Sequence, residues 1–343
     1  MRLSSVYFIM LLKVEHLSIG FGRGGDYCEV VSDISFSLEP GSITAIVGES
    51  GCGKSLTCLA LGNLLPPGAS ARCEKMLFSP AEGAPPVDLH KLPPRERRRY
   101  SGGGIAYVFQ EPAVSLNPVF TVASQIGEAL KLHTTLDRKA RSRRVLELLD
   151  QVGIPDPAAR ARAYPHELSG GMQQRVMIAL ALAGNPRLLI ADEPTTALDV
   201  TIQAQILELL SRLAADTGMG ILLITHNLGI VARIADSVCV LYAGRIAERA
   251  GTRELLRHPV HPYTRKLLRS VPTLHEQKTE LETIPGSVPP PGKFPPGCRF
   301  ANRCAFATAE CGALPPETMV SEGHFVACFH SSEVEASGKG GAE

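Results

Sequence analysis

The feature that most constrains this chain is the segment Gly48-Glu-Ser-Gly-Cys-Gly-Lys54-Ser55, which matches the pattern Gly-x-x-x-x-Gly-Lys-Ser. It follows an apolar run at 42–47 typical of a β-strand and precedes a helical pattern that stops at Pro66-Pro67-Gly68. The backbone N–H groups of such a loop and the N-terminus of the following helix form an anion site. Lys54 can reach the β- and γ-phosphates of a nucleotide, and the Ser55 hydroxyl can coordinate Mg²⁺. The segment therefore predicts a strand–loop–helix unit that binds nucleotide phosphates.

A pair of carboxylates ends a second apolar run, Leu188-Leu-Ile-Ala-Asp192-Glu193. Because a carboxylate at the end of a buried strand is unfavourable unless it meets a cation, we expect Asp192 in the Mg²⁺ shell. Glu193 points elsewhere and can polarise an attacking water molecule. Taken alone, the pair could equally cap a helix near Pro194. With a phosphate loop upstream, the catalytic interpretation is favoured.

The bulk properties agree with a globular α/β protein. The chain has 343 residues, 44% of them hydrophobic, and strand-like runs alternate with helical ones, including a helical pattern from Thr121 to Gly153. A net charge of +1 gives no general attraction for nucleic acid, and Arg95–Arg99 is interpreted as a solvated surface segment. No apolar run reaches the roughly 18–20 residues of a membrane span, and the apolar start is interpreted as an edge strand of a cytoplasmic protein, beginning at Met1 or Met10.

A third segment, Leu168-Ser169-Gly170-Gly171-Met-Gln173-Gln-Arg175, gives the chain a family resemblance. Together with the phosphate loop and the acidic pair, it resembles the ATP-binding cassette (ABC) family over about the first 250 residues. The resemblance implies an ABC nucleotide-binding domain at 1–252. This domain has a P-loop, RecA-like α/β core, an antiparallel β subdomain and, at about 113–186, an α-helical signature subdomain. Ser followed by Gly-Gly is also an ordinary helix start, but that alternative does not explain its position in the chain.

The resemblance assigns roles to individual residues. Glu193 and His226 are expected to be catalytic, His226 as the switch histidine at a strand end, although Asn227 stands where aspartate is usual. Ser55 and Gln110 are expected to bind Mg²⁺, Asp199 lies in the dimer-contact loop, and Ser169, Gly170, Gly171 and Gln173 form the signature. Tyr27 is the candidate for stacking on adenine, with Phe21 second. The remaining expected ATP-binding residues are Gly48, Glu49, Ser50, Gly51, Cys52, Gly53, Lys54, Leu56 and Asp192.

The same resemblance implies partners. Two cassettes pair head to tail, with each ATP between the phosphate loop of one and the signature of the other. Hydrolysis of ATP then drives alternating access in a permease. We therefore expect a second, distinct ABC ATPase subunit, two transmembrane permease subunits, an extracytoplasmic peptide-binding protein reached through the permease, and a peripheral location at the cytoplasmic face of the inner membrane. No nucleic-acid partner is expected.

The C-terminal part narrows the class of transporter. His261-Pro262-Tyr263-Thr264 resembles the extension found in ABC subunits of dipeptide, oligopeptide and nickel importers. Upstream of it, Ser115-Leu-Asn-Pro118 and the run 151–157 resemble the dipeptide-importer subunit that pairs with a second, different cassette. We place this extension at 253–330 and predict a disordered tail at 331–343. Dipeptide or oligopeptide import is the favoured function. Nickel or another peptide-like solute remains open, as does, in a different class, a soluble ABC ATPase acting on nucleic acid.

Four cysteines fall in the extension with the spacing Cys298-x5-Cys304-x6-Cys311-x16-Cys328. Structural zinc sites usually begin with ligands two to four residues apart, so this spacing fits zinc poorly. Four thiolates are what a [4Fe–4S] cluster needs, and the resemblance implies such a cluster here, with a structural role. The alternative is four unligated thiols in a small Pro-rich segment.

Overall fold

The computed structural model describes residues 10–22, 24–270 and 284–339. The strands, in chain order, are β1 Leu12–Phe21, β2 Cys28–Leu38, β3 Ile43–Val47, β4 Ala69–Arg72, β5 Lys75–Phe78, β6 Val87–Asp88, β7 Ile105–Val108, β8 Leu188–Asp192, β9 Gly220–Thr225, β10 Ser237–Tyr242, β11 Arg245–Gly251, β12 Thr318–Ser321 and β13 His324–Val326. The helices are α1 Lys54–Leu61, α2 Pro94–Arg97, α3 Pro112–Ser115, α4 Val122–His133, α5 Arg138–Gln151, α6 Pro157–Arg160, α7 Gly170–Leu182, α8 Val200–Thr217, α9 Leu228–Ile234, α10 Thr252–Arg257, α11 Pro262–Arg269 and α12 Ser331–Lys339. Strands and helices alternate from β7 to β10, which confirms the predicted α/β class.

The chain forms two compact units, each assembled from separate stretches. The first contains residues up to Val14, Ser37–Ser42 and Lys75–Leu222. The second contains Glu15–Phe36, Ile43–Glu74 and the chain from Leu223 onward. We call the described residues from Thr252 to Lys339 the C-terminal segment. The second unit holds both the phosphate loop and this segment, so these units do not follow the division expected at residues 252 and 253.

In the first unit, the acidic pair follows a strand that is buried along its whole length. β7 and β8 run parallel, with Ile105 opposite Leu188 and Val108 opposite Ala191. All five residues of β8 are buried, as the continuous apolar run predicts for a strand covered on both faces. Asp192 is the last of them, so β8 fixes the position of the carboxylate at its carboxyl end.

The helical stretch of this unit differs in one respect from the predicted single helical pattern at Thr121–Gly153. Thr121 begins α4, because its side chain accepts a hydrogen bond from the Ser124 amide. α4 ends at His133, and α5 begins only after Asp137, whose side chain accepts from the Ala140 amide. Two capped helices therefore replace one. The break is explained by Asp137, whose side chain satisfies a backbone amide in the first turn of α5 and so favours a new helix start there.

In the second unit, the strand before the phosphate loop belongs to a mixed sheet. The strand order is β12-β13-β11-β10-β3. β10 is parallel to β3, with Val238 opposite Ala45 and Val240 opposite Val47, whereas β11 is antiparallel to β10. All residues of β3 are buried, which anchors the start of the loop at Val47.

The C-terminal segment shares a core with β3 and β10. Its largest buried side chains, Tyr263 and Phe300, pack in one cluster with Val47 and Val240. The rings of Tyr242 and Tyr263 lie 4.6 Å apart between centroids, and those of Tyr263 and Phe300 lie 5.4 Å apart. The apolar surface of this segment is therefore buried against the strands of its own unit.

A buried carboxylate also joins this segment to β11. Glu248 is fully buried, and its oxygens accept hydrogen bonds from the backbone amides of Val260 and His261 at 2.8 and 3.0 Å. The Nε2 of His324 lies 2.8 Å from the same carboxylate. A buried charge is tolerated when it is paired and hydrogen-bonded in this way.

The predicted disordered tail differs from the structure over residues 331–339, which form α12. Val334 is fully buried, and the Arg265 guanidinium donates to its carbonyl oxygen at 2.7 Å. An anchored apolar side chain and a satisfied carbonyl explain why a stretch rich in Ser and Glu is ordered here. Residues 340–343 lie outside the described residues, as do residues 1–9 of the predicted edge strand.

Within the described ranges, none of the helices has both the length and the apolar character that a membrane span requires.

Candidate functional site

The phosphate loop lies between β3 and α1, as the sequence predicts. Gly48 has φ 154°, and a Cβ at this position would lie 2.1 Å from the Leu241 carbonyl oxygen. Gly53 has φ 102°, and a Cβ there would lie 2.7 Å from Cγ2 of Val31. Backbone atoms and a packed β-branched side chain cannot move away easily, so only glycine fits at these positions. The first and last glycines of the motif thus set the path of the loop.

Lys54 is held inside the loop that it is expected to serve. Its side chain is buried, and Nζ donates to the carbonyl oxygens of Gly48 at 2.8 Å and Glu49 at 3.0 Å. Burial raises the pKa of the neighbouring Cys52 thiol, so this cysteine stays protonated. The N-terminus of α1 has no side-chain cap, which is the arrangement of an anion-binding helix start. Ser50, Gly51 and Ser55 are exposed, and Leu56 is half-buried.

Glu49 is attached to the C-terminal segment, a contact that sequence reasoning missed. Its backbone amide donates to the Tyr263 hydroxyl at 2.9 Å, and its carboxylate pairs with the Arg303 guanidinium at 3.1 Å. Tyr263 lies in the His-Pro-Tyr-Thr run that the sequence singled out, but nothing in that run indicates a contact 214 positions away.

The predicted switch histidine also lies in the second unit. His226 directly follows β9 and is exposed. Asn227, which stands where aspartate is usual in the family, caps α9: its side-chain oxygen accepts from the Gly229 amide at 2.8 Å and the Ile230 amide at 3.4 Å. Asparagine and aspartate are comparable N-caps, so the substitution keeps the helix start that follows the histidine.

In the first unit, Asp192 and Glu193 diverge, as expected for different roles. Asp192 is buried, and its Oδ2 accepts a hydrogen bond from the Tyr107 hydroxyl at 2.8 Å. Glu193 is only half-buried and has φ 45°, a left-handed conformation that is strained for a non-glycine residue. The sharp change of backbone direction after β8 therefore aims the two carboxylates differently.

Glu193 is oriented by two neighbours of its own unit. The Gln110 amide nitrogen donates to Glu193 Oε2 at 3.3 Å, and the Thr196 hydroxyl donates to the same oxygen at 2.9 Å. The structure thus brings the predicted glutamine and the predicted base together. It adds Thr196, whose contribution the sequence did not single out.

The signature segment forms the exposed start of α7. Ser169 is the N-cap, and its hydroxyl accepts from the Met172 amide at 3.4 Å. Ser169 and Gly170 are exposed, whereas Gly171 faces Ile202 of α8 so closely that a Cβ would lie 2.7 Å from its Cγ2. The Gln173 amide fixes the preceding turn by donating to the carbonyl oxygens of Pro165 and Leu168.

The predicted dimer-contact residue has a local role in this chain. The Asp199 carboxylate caps α8 by accepting a hydrogen bond from the Ile202 amide at 2.9 Å. The residue itself is exposed. This cap fixes the carboxylate at the start of α8.

Tyr27 precedes β2 in the second unit. The Arg72 guanidinium lies over its ring at 4.8 Å from the centroid, so one face of the ring already has a cationic partner. Phe21, the second candidate for adenine stacking, is exposed at the end of β1. The assignment of the adenine-stacking residue stays a prediction.

The predicted [4Fe–4S] cluster is wrong. Among the described residues, no group of three or more His, Cys, Asp or Glu side chains is arranged to hold a metal ion. Burial raises the pKa of the Cys298 and Cys304 thiols and raises that of Cys328 to about 12, so burial disfavours their thiolate forms. The Cys304 and Cys328 sulfurs accept backbone hydrogen bonds from Phe306 and His330. Cys298 and Cys304 pack against the hydrophobic cluster around Tyr263 and Phe300, and Cys311 is buried.

Family comparison places these features in a known group. Residues 31–196 match the ABC transporter family. Residues 247–311 match the family described as the oligopeptide/dipeptide transporter, C-terminal region. The first match contains the phosphate loop, the signature and the acidic pair, and the second contains Tyr263 and Arg303.

Relatives of this chain resemble it over nearly their whole length. A peptide import ATP-binding protein of Brucella ovis is 49% identical over 333 residues, which make up 95% of this chain and 98% of the relative. The dipeptide transport ATP-binding protein DppD of Escherichia coli is 45% identical over 321 residues, 93% of this chain and 96% of that protein.

Among solved structures, the ATP-binding cassette MJ0796, in a dimeric post-hydrolysis state bound to ADP and Pi, matches with a TM-score of 0.60 and 25% identity. This match covers 71% of the present chain and 99% of the cassette. CbiO1 of Clostridium perfringens, part of an ABC transporter complex, matches with a TM-score of 0.60 and 28% identity over 72% and 90% of the two chains. With these relatives and the site geometry described above, the chain belongs to the ATP-hydrolysing ABC transporter family, in the branch that carries the oligopeptide/dipeptide transporter C-terminal region.

Proposed function

We propose that this chain is the ATP-binding subunit of an importer for dipeptides or short oligopeptides and that its ATP hydrolysis drives their uptake through a membrane permease. The observation that carries the proposal is the pairing of a complete set of cassette motifs with a C-terminal segment of the oligopeptide/dipeptide type. Relatives named for peptide import and dipeptide transport support the choice of solute class.

In this function, the second unit supplies the phosphate-binding groups. Lys54 exchanges its loop carbonyl partners, Gly48 and Glu49, for the phosphates, while the backbone amides at the start of α1 donate to them. His226 contacts the terminal phosphate and responds to its presence. The exposed position of His226 directly after β9 supports this role.

The first unit supplies the base that acts on water. Glu193 accepts a proton from the attacking water. Gln110 and Thr196 donate hydrogen bonds to its Oε2 and so fix the orientation of the side chain that carries the reacting carboxylate. The strained φ of Glu193 supports a functional role, because such a conformation persists only where the surrounding structure enforces it. No residue of this set suggests a covalent phosphoenzyme.

The oxygen donors proposed for Mg²⁺ have suitable chemistry. A serine hydroxyl, a glutamine amide oxygen and a carboxylate are hard ligands of the kind Mg²⁺ prefers, and Ser55, Gln110 and Asp192 supply them. Gln110 uses its amide nitrogen for Glu193, which is consistent with an oxygen reserved for a cation or its water. Bound Mg²⁺ would neutralise charge on the phosphates during hydrolysis.

The signature supports a partnership between cassettes. Ser169 and Gly170 lie exposed at the start of α7 and form a second anion site, which we assign to the ATP held by another cassette. We propose a heterodimer with a distinct ABC ATPase subunit. The dimeric structures of the related cassette MJ0796 support pairing in general.

Several exposed apolar side chains close to Gln110 in the chain support contact with a permease. Val114, Val119 and Phe120 follow Gln110, and Phe109 comes just before it. Exposure of several large apolar side chains in one short stretch is typical of a protein interface. We propose two permease subunits, a peptide-binding protein on the far side of the membrane, and a peripheral position of this chain on the cytoplasmic face.

The proposal is tested by purifying the complex through a tag on this chain and measuring dipeptide uptake into proteoliposomes. Glu193→Gln, in a complex whose partner cassette is inactive, is expected to reduce ATP hydrolysis about 10²- to 10⁴-fold with ATP binding retained, because the general base is lost. Glu208→Gln, which removes an exposed carboxylate from α8, serves as the matched control.

Two results would contradict the proposal. Full ATPase activity of the Glu193→Gln complex would exclude Glu193 as the base. A complex that hydrolyses ATP and takes up Ni²⁺ but no di- or oligopeptide would show that the solute class is wrong.

A further inference from the structure

Glu49 places a negative charge in a loop that binds phosphates. It is the second residue of the motif, directly after Gly48, and its side chain is 27% exposed. An unpaired carboxylate beside a triphosphate would weaken nucleotide binding, because like charges repel strongly where solvent screening is incomplete. The loop therefore needs something that cancels this charge.

Arg303, from the C-terminal segment, is placed to cancel it. Its side chain is 6% exposed. Nη1 donates to both carboxylate oxygens of Glu49 at 3.1 and 3.2 Å, and Nη2 donates to Oε2 at 3.1 Å. This planar, multiply bonded pairing is specific to arginine, since a lysine ammonium offers no fork.

The guanidinium is itself fixed in place. Its Nε donates to the Pro285 carbonyl oxygen at 2.9 Å, and Nη2 also donates to the carbonyl oxygens of Ile284 and Gly286 at 3.1 and 3.3 Å. Nη1 reaches the Tyr242 hydroxyl at 3.2 Å. An arginine held by so many acceptors loses little further entropy when it pairs with Glu49, so the pair is preorganised.

The backbone of the same residue is held by a second group of the C-terminal segment. The Glu49 amide donates to the Tyr263 hydroxyl at 2.9 Å, and Tyr263 is fully buried. Both the main chain and the side chain of Glu49 are therefore anchored outside the loop.

We propose that Arg303 is a positioning residue for ATP binding: it neutralises Glu49 and holds the start of the phosphate loop, so the C-terminal segment is part of the nucleotide-binding machinery. The inference rests on ATP binding at this loop. It does not depend on the solute or on the permease.

The test measures steady-state ATPase kinetics of the purified complex, with the partner cassette inactivated, at varied ATP concentration. Arg303→Ala is expected to raise the KM for ATP about three- to tenfold, with a smaller change in kcat, because an uncompensated carboxylate repels the phosphates before and during reaction. Arg303→Lys is expected to raise the KM less than Arg303→Ala does, because a lysine keeps the positive charge. Added salt is expected to reduce the rise in KM of Arg303→Ala, because it screens the repulsion between Glu49 and the phosphates.

If Arg303 acts by neutralising Glu49, removal of the Glu49 charge should offset the loss of Arg303, which a purely structural role does not predict. Glu49→Gln in the Arg303→Ala background is expected to bring the KM back toward the wild-type value. Glu49→Gln alone is expected to lower the KM, because the positive charge of Arg303 is then uncompensated. This single variant keeps the idea testable if Arg303→Ala fails to fold.

Arg299→Ala is the matched control. Arg299 lies in the same part of the segment and donates to the Ala243 carbonyl and the Ser32 hydroxyl, away from Glu49. Its replacement is expected to leave the KM within about twofold of wild type. An unchanged KM in Arg303→Ala, a raised KM in Glu49→Gln alone, or an equal rise in Arg299→Ala would overturn the inference. A wild-type complex that fails to hydrolyse ATP would instead refute the proposed function.

Discussion

At the scale of single residues, the two signature glycines differ in their surroundings although they are adjacent in one helical turn. A Cβ at Gly171 would lie 2.7 Å from Cγ2 of Ile202, whereas a Cβ at Gly170 would make an ordinary 3.8 Å contact with Leu198. Gly171 thus permits the close approach of α7 and α8. Gly170 has no such packing role.

This difference predicts opposite stability effects. Gly171→Ala is expected to lower the free energy of unfolding by about 1–2 kcal/mol, because Cγ2 of Ile202, one bond from its Cβ, cannot move away from the new methyl group without strain. Gly170→Ala is expected to be neutral or to stabilise by up to about 1 kcal/mol, since alanine is the better helix former. Urea unfolding of the purified chain followed by circular dichroism measures both. Equal destabilisation by the two substitutions would contradict the packing argument.

The positions of the site residues in the fold were predictable from sequence where the pattern is local, and their roles stay predictions. The phosphate loop between a strand and a helix, and the acidic pair at the end of a buried strand, follow from residue types at fixed spacing. Arg303 was not predictable, because 254 residues separate it from Glu49 and an arginine in a Pro-rich stretch has no local signature. The cluster prediction was wrong for a related reason: spacing gives four thiols, but it does not show how the fold arranges them, and among the described residues no group of three or more such side chains is placed to hold a metal ion.

At the scale of elements, the start of α11 depends on a neutral histidine. His261 is the N-cap, and its Nδ1 accepts a hydrogen bond from the Tyr263 amide at 3.0 Å. Burial lowers the pKa of His261 from 6.5 to about 4, although the nearby Glu248 carboxylate acts in the opposite direction. A proton on Nδ1 would remove the acceptor of this hydrogen bond, so the native state favours the neutral form of His261.

The sign of the resulting pH dependence follows. Between pH 6.5 and about 4 the unfolded chain binds a proton at this position and the native chain does not, so the stability is complete above pH 6.5 and falls as the pH is lowered. From pH 7 to pH 5 this single group is expected to lower the free energy of unfolding by about 2 kcal/mol.

His261→Asn tests this element, because asparagine keeps an N-cap acceptor and cannot titrate. The variant is expected to lose less stability than the wild type between pH 7 and pH 5 in urea unfolding. His258→Asn, which replaces an exposed histidine three residues earlier, is expected to leave the pH dependence as it is. Identical pH dependence in the wild type and His261→Asn would exclude this account.

Elements themselves were predictable where periodicity and burial agree, as in β3 and β8, whose apolar runs are wholly buried. The break between α4 and α5 was missed because the apolar positions continue through it, and only the cap at Asp137 marks the new start. α12 was missed because composition argued for disorder, whereas its order depends on Val334 and its contact with Arg265, which lie 69 positions apart.

At the scale of the whole molecule, the C-terminal segment is integrated with the phosphate loop in one unit of the fold. The sequence suggested an appendage, because composition changes near Gly251 and Pro-rich runs follow. The structure instead buries Tyr263 and Phe300 against β3 and β10, and it satisfies the fully buried Glu248 with the amides of Val260 and His261. Loss of the segment would leave this carboxylate without those donors.

A chain ending at Gly251 is therefore expected to lose its native fold and its affinity for ATP, not merely a tail. Removing the aromatic side chains alone corresponds to about 3–5 kcal/mol for each large ring, which is a substantial part of the stability of an ordinary domain. Soluble yield, limited proteolysis and equilibrium ATP binding measure the outcome. A chain ending at Lys339, which lacks only residues 340–343, is the control and is expected to behave as the full chain does. If the chain ending at Gly251 folded and bound ATP with wild-type affinity, the segment would be an independent appendage and the integration argued from its shared core would be wrong.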